Sequence, residues 1–211
     1  MLLFEFEKTG SFIYVSHIDM LRAVERALRR AGIECAYSQG FHPHILLRFS
    51  PPLPIGTAGR REQCALDCAL GAEEFWERYN RAAPAGLKAR KATVYPYPVN
   101  PASEIRKAAY EIALNFREDG PGAFSKLAAA AREVLAGDSF EVETGRDGGA
   151  KEARPLIHDI GTRFAGGFVT VDAVLSAGNL NLRADRFIEA LLKRAGIACA
   201  DIEIARTALY V

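Results

Sequence analysis

Three prolines, Pro96, Pro98 and Pro101, cluster near the middle of a 211-residue chain, and the apolar pattern on either side runs through the same order. Proline fixes φ and lacks a backbone donor, so this stretch suits an extended connection better than a helix or a central strand. Before it, residues 2–15 read as extended, with Phe4 and Phe6 alternating against Glu5 and Glu7 and a turn at Thr9-Gly10-Ser11. Ser16 and Asp19 carry a capping-box pattern, Ile18, Leu21, Val24 and Leu28 form a helical stripe, and Gly32 supplies a left-handed stop. Residues 33–37 and 45–49 read as short strands. Pro51, Pro52 and Pro54 then enforce an extended loop, continued by a basic turn, Thr57-Ala58-Gly59-Arg60-Arg61. A strand over 63–70, a helix over 73–83 and a strand over 87–95 complete a β-α-β-β-α-β order.

The second half repeats it with one extra strand. Strands are expected over 110–116, 140–144, 156–164, 167–175 and 201–211, with helices over 124–135 and 184–195 and a tight turn at Arg146-Asp147-Gly148-Gly149. An internal echo accompanies the repeat: ERALRRAGIEC, from Glu25 to Cys35, is matched by EALLKRAGIAC, from Glu189 to Cys199. It is expected either from pseudo-symmetric halves or from one helix-ending solution used twice. The expected fold is α+β, two ferredoxin-like β-α-β-β-α-β lobes with antiparallel or mixed sheets. The lobes are placed at 1–97 and 108–211, joined by a Pro-containing linker at 98–107.

Charge and apolar content narrow the function classes. Lys+Arg 27 against Asp+Glu 26 excludes a histone-like polycation and a chain disordered by its own charge. No apolar run approaches the roughly 18 residues of a membrane span, and the charges in MLLFEFEKTG do not suit a signal peptide. A cytoplasmic location without membrane contact is therefore expected. Cys35, Cys64, Cys68 and Cys199 lack zinc or iron–sulfur spacing and read as small buried thiols. Neither a phosphate-binding glycine loop nor a nucleophile elbow is present.

The densest polar group is split between Ser16-His17-Ile18-Asp19 and the stretch from Ser38 to His44. If residues 33–37 are the second strand of a right-handed crossover, they run parallel to the first strand and end at the edge where the helix begins. Ser38, Gln39, Gly40, Phe41, His42 and His44 should then meet His17, Asp19 and Arg22 at one rim, where free helix N–H groups favour an anion. His17, Asp19 and His44 are the candidate catalytic groups, and Asp19 reads equally as a cap. His17, Asp19, His42 and His44 also offer imidazole and carboxylate ligands, the minority metal reading; no metal or cofactor is expected. Arg22, Arg26, Arg29 and Arg30 occupy the helix side away from the stripe. With Arg48, Arg60 and Arg61 among them, the first hundred residues hold 13 basic against 10 acidic side chains. Such a face is either solvated or steers phosphates. Tyr37 and Phe41 either stack on an exposed base or belong to the core.

The stretch from Ser16 to Gly56 resembles the opening of the bacterial radical SAM-linked protein family, a family of unknown function encoded beside, or fused to, radical S-adenosylmethionine proteins. The match runs in order through Ser16-His17-x-Asp19, Arg22, Arg26-Ala27, Arg30, Tyr37-Ser38-Gln39-Gly40-Phe41, Pro43-His44 and Pro52-Leu53-Pro54-x-Gly56. Weaker matches follow at Arg154-Pro155-Leu156-Ile157, Gly178-Asn179-Leu180 and Ile204-x-Arg206-Thr207-x-Leu209-Tyr210. The resemblance implies work beside a radical SAM protein, with the cluster held by that partner. The duplicated order is also similar to the two-lobed architecture of pseudouridine synthases, whose catalytic loop carries an aspartate that 38–44 lacks. The expectation is a non-catalytic accessory protein binding RNA or another anionic substrate through Arg22, Ser38, Gln39, Gly40, Phe41, Arg26, Arg29, Arg30, Arg48 and Arg61. The alternative is an enzyme using His17, Asp19 and His44. Nothing in the residues fixes an oligomeric state.

Overall fold

A computed structural model describes residues 1–116, 120–144 and 149–211, and the expected turn at Arg146-Asp147-Gly148 lies outside them. The chain is a mixed α+β protein with antiparallel strand pairing and five α-helices among the described residues. It divides into two compact units, Met1–Ile105 and Arg106–Val211.

In the first unit, β1 (Leu2–Lys8) alternates strictly, turning Leu2, Phe4, Phe6 and Lys8 inward. The expected extension to residue 15 does not form; Gly10–Tyr14 is a 3-10 turn. Helix α1 (His17–Arg30) follows, burying Met20, Ala23, Val24, Ala27 and Leu28. The buried face is thus rotated from the expected stripe, because two alanines allow close approach to the sheet and Ile18 is left 60% exposed. After α1 come β2 (Leu47–Phe49), β3 (Thr57–Leu66), α2 (Ala72–Ala82), β4 (Ala89–Val94) and a helical turn, α3 (Pro101–Glu104). The proline stretch packs with this unit, burying Val99, Pro101 and Ile105.

The strand order is β4–β1–β3–β2, every neighbour antiparallel. Leu2 pairs with Leu66 and Lys8 with Gly59, which draws Thr57–Arg61 into β3 where a basic turn was expected. Residues 33–37 do not form a ladder strand; they make only isolated antiparallel bridges, Cys35 with Cys68 and Tyr37 with Ile45. The strand parallel to β1 is β2, with β3 between them. On the helix side, the Phe4 ring sits 5.2 Å from Phe75 and 5.0 Å from Tyr79, whose hydroxyl donates to Leu87 O at 3.1 Å.

The second unit comprises β5 (Lys107–Asn115), α4 (Gly120–Ala136), β6 (Glu141–Glu143), β7 (Ala150–Glu152), β8 (Ile157–Ala165), β9 (Phe168–Ser176), α5 (Ala184–Ala195) and β10 (Asp201–Tyr210). Its order, β10–β5–β9–β8, is the same permutation as in the first unit, again antiparallel throughout. The expected extra strand is one half of a separate β6–β7 hairpin. That hairpin leaves the chain between the first helix and second strand of its unit, the same joint from which residues 31–46 depart in the first.

The sequence echo marks one helix ending used twice. Gly32 and Gly196 both take left-handed φ, +61° and +65°. Ile33 N then donates to Leu28 O at 3.1 Å, and Ile197 N to Leu192 O at 3.2 Å, closing each helix in the same way.

Candidate functional site

The first turn of α1 is occupied by its own cap. Ser16 Oγ accepts from Asp19 N at 3.2 Å and donates to Asp19 Oδ2 at 2.7 Å, while Arg22 Nη1 donates to Asp19 Oδ1 at 3.2 Å. The Ser16 hydrogen bond, and after it Arg22, holds the Asp19 carboxyl below the usual range. Beside the cap, the His17 ring meets Phe49 edge-on at 5.9 Å.

Beneath His17 lies the feature that reasoning from sequence missed. Lys8, Ser50, Thr57 and Glu62 are buried, at 2%, 4%, 4% and 4% exposure. Lys8, Ser50 and Glu62 line a cavity of about 10 Å³ with His17, Met20 and Leu53. Ser50 Oγ donates to Glu62 Oε2 at 3.1 Å, and Lys8 Nζ donates to Ile13 O at 3.3 Å. Gly59 leaves the room: a Cβ there would stand 2.5 Å from Glu62 Cγ. The signal was available in the alternation, since Lys8 continues the inward parity of Leu2, Phe4 and Phe6, and Glu62 that of Cys64 and Leu66.

The stretch 38–44 lies elsewhere. Register puts Leu2, Leu66 and Leu47 at one level of the sheet, and Lys8 stands six residues along β1 from it. At 3.3 Å per residue that is about 20 Å. Residues 38–44 precede Leu47 at the first level, whereas His17 shares a cavity with Lys8 at the other. The expected two-part pocket is therefore not assembled: Ser38, Gln39, Gly40, Phe41, His42 and His44 occupy the edge opposite His17, Asp19 and Arg22. The reason is the strand parallel to β1, which is 47–49 and not 33–37, so the loop before it emerges at the other end. Among the described residues no group of three or more His, Cys, Asp or Glu could hold a metal ion, so His17, Asp19, His42 and His44 form no centre.

What 38–44 does form is a hairpin. Its base is the Tyr37–Ile45 bridge, its neck is closed by Ser38 N to His44 O at 2.9 Å, and Ser38 Oγ lies 2.9 Å from His44 Nδ1. Phe41, at its tip, is 102% exposed. The Arg29 guanidinium stands 5.9 Å from the Tyr37 ring centroid and also pairs with Glu25 at 2.6 Å. Arg26 and Arg30 are exposed on the same helix. Arg48 and Arg61 do not join them: Arg61 Nε donates to Glu5 Oε2 at 2.8 Å and Arg48 Nη1 lies 3.1 Å from Met1 Sδ, at the outward parity of the sheet.

In the second unit, a cleft of about 770 Å³ separates the β6–β7 hairpin from α5. Within it Lys193 pairs with Glu143 at 2.8 Å and Arg186 with Glu189 at 3.0 Å. At the hairpin's foot, hydrogen bonds from Ser139 Oγ, then from Phe140 N and Arg154 N, bring the Glu152 carboxyl from an ordinary 4.5 down to about 2. A carboxyl depressed in the folded state stabilises above its unfolded value and loses that contribution as pH falls through the folded one. The Glu152 Cδ resonance is thus expected to titrate with a midpoint near 2, with the Phe140 amide losing protection from exchange alongside it. A midpoint near 4.5 would show these bonds absent in solution.

These features define a mixed α+β protein with a charged cluster buried under one helix start and an aromatic-tipped hairpin at the opposite edge. A family model described as "Uncharacterized protein conserved in bacteria (DUF2344)" matches residues 2–184, and the chain belongs to that family. A search of curated proteins finds no match. No helix among the described residues is long and apolar enough to cross a membrane.

Proposed function

We propose that this chain is an RNA-binding accessory protein, with the Tyr37–Ile45 hairpin and the arginine side of α1 as its contact surface. The observation that carries the reading is Phe41, fully exposed at the tip of a hairpin that holds itself together. An aromatic ring kept in water costs free energy that stacking on an unpaired base recovers. Arg29 beside Tyr37 links the hairpin base to the helix, where Arg26 and Arg30 supply charge for phosphates. A working association with a radical SAM protein rests on the resemblance of the Ser16–Gly56 stretch. Ferredoxin-like lobes are supported by the strand order common to both units. The rival enzyme loses support because His44 stands at the far edge from His17 and Asp19, and the Asp19 carboxylate already accepts from Ser16 Oγ and Arg22.

Anisotropy of labelled tRNA and rRNA fragments across a salt series tests this. Affinity should fall linearly on logarithmic axes, and Arg26→Glu with Arg30→Glu should flatten the slope by about 2, one per phosphate contact. Phe41→Ala should weaken binding by about 5- to 100-fold, in line with one lost base stack, and leave the thermal transition unchanged. Absent binding, or binding insensitive to salt and to all three changes, overturns the reading.

A further inference from the structure

Cys35 and Cys68 oppose each other across an isolated antiparallel bridge. Ala36 N donates to Asp67 O at 2.9 Å, joining the residue after Cys35 to the one before Cys68. That pattern makes the cysteines a non-hydrogen-bonded pair, where opposed residues come closest, with Cα atoms about 4.5 Å apart. Disulfides span Cα separations of about 4.4–6.8 Å. Both side chains pack against the core of the first unit, so both turn to the same side, and both thiols are free and half-buried. The other cysteines are placed differently: Cys64 opposes Phe4 and Phe49 in its ladders, and Cys199 belongs to the second unit.

We propose that Cys35 and Cys68 are a thiol–disulfide modification site, oxidised by small-molecule disulfides such as oxidised glutathione. One cysteine thiolate attacks the small disulfide, forming a mixed disulfide and releasing one thiol. The other then attacks the protein sulfur of that mixed disulfide and displaces the second thiol. The two cysteines lose two electrons and two protons, and the small disulfide becomes two thiols. Burial raises both thiols, Cys35 to about 11, so little thiolate exists at neutral pH and the exchange is slow there. The ionisable groups facing the pair are Cys64, Asp67 and the Met1 amino group. The bond closes the loop from 35 to 68 and fixes the root of the 37–45 hairpin, because Leu46 N donates to Ala36 O at 3.0 Å beside the bridge. The proposal does not depend on RNA binding.

The full chain is incubated with oxidised glutathione at a pH of about 8.5, quenched with acid, alkylated and digested for mass analysis. Expected are the loss of two hydrogens per chain, a linked Cys35–Cys68 peptide pair, and a melting temperature raised by roughly 10 °C, all reversed by dithiothreitol. In Cys35→Ser, glutathione should remain attached at Cys68. If that variant does not fold, Cys68→Ser should retain glutathione at Cys35, and the peptide map of the unmutated chain is decisive by itself. A link mapped to any other pair, glutathione adducts persisting on the unmutated chain, or four unmodified thiols after treatment would overturn the proposal.

Discussion

Replacing Glu62 with alanine is expected to lower the stability of the first unit by about 3–5 kcal/mol, the usual cost of removing one member of a buried charge cluster. Glu62 is 4% exposed and is the sole carboxylate lining the cavity it shares with Lys8, itself 2% exposed. Without it Ser50 Oγ loses its acceptor, and the cavity that also holds Lys8 loses a carboxylate. Truncating the side chain also leaves a void. Lys8→Met should be destabilising too, because it removes the ammonium that donates to Ile13 O from the same buried cavity. The double variant Lys8→Met with Glu62→Leu should recover most of the loss, since neither charge is then stranded. Trp76 is the only tryptophan and lies in α2, so its fluorescence during urea denaturation reports on this unit. Single losses that simply add in the double variant would show that the two charges do not depend on each other.

Arg154→Met is expected to destabilise the second unit by about 3 kcal/mol. The Arg154 guanidinium donates to Leu135 O at 2.8 Å, Gly137 O at 3.1 Å and Ile157 O at 3.0 Å. It thereby caps the end of α4 and ties it to the start of β8. Hydrogen bonds to a charged donor contribute about 1.5–3 kcal/mol each, offset here by the cost of holding a long side chain in place. Arg154→Lys should recover little, because one ammonium cannot span three carbonyls that a planar fork reaches together. Amide exchange at Leu156 and Ile157 should accelerate in step with the loss of stability. Unchanged exchange and an unchanged melting temperature would reduce the triple contact to an incidental one.

The elements legible in the sequence were those fixed by local rules. The Ser16 cap, the Gly32 and Gly196 endings, and strands such as 107–115 and 168–176 are set by alternation, capping and turns within a few residues. What could not be read depended on partners far along the chain. Ile33 to Tyr37 has strand composition, yet a ladder needs an opposing edge, and β3 gives its edge at that level to Leu47–Phe49. Arg60 and Arg61 look like a turn until Lys8 pairs with Gly59. The first difference alone moves the candidate site, because with 47–49 as the strand parallel to β1 the connection before it lies at the opposite edge. Lys8 and Glu62 went unnoticed for another reason. Charged types are expected outside, and only the parity of their neighbours says otherwise.

Both four-stranded frames have an appendage at one shared joint, an aromatic-tipped hairpin in the first and the β6–β7 hairpin in the second. In each case the strand that follows, β2 or β8, pairs with a single strand among the described residues. Extra chain inserted there lies outside the ladders, so its length and chemistry can vary without changing their register. Each unit thus presents its distinctive surface on an outrigger, free to be re-equipped while the hull keeps its shape.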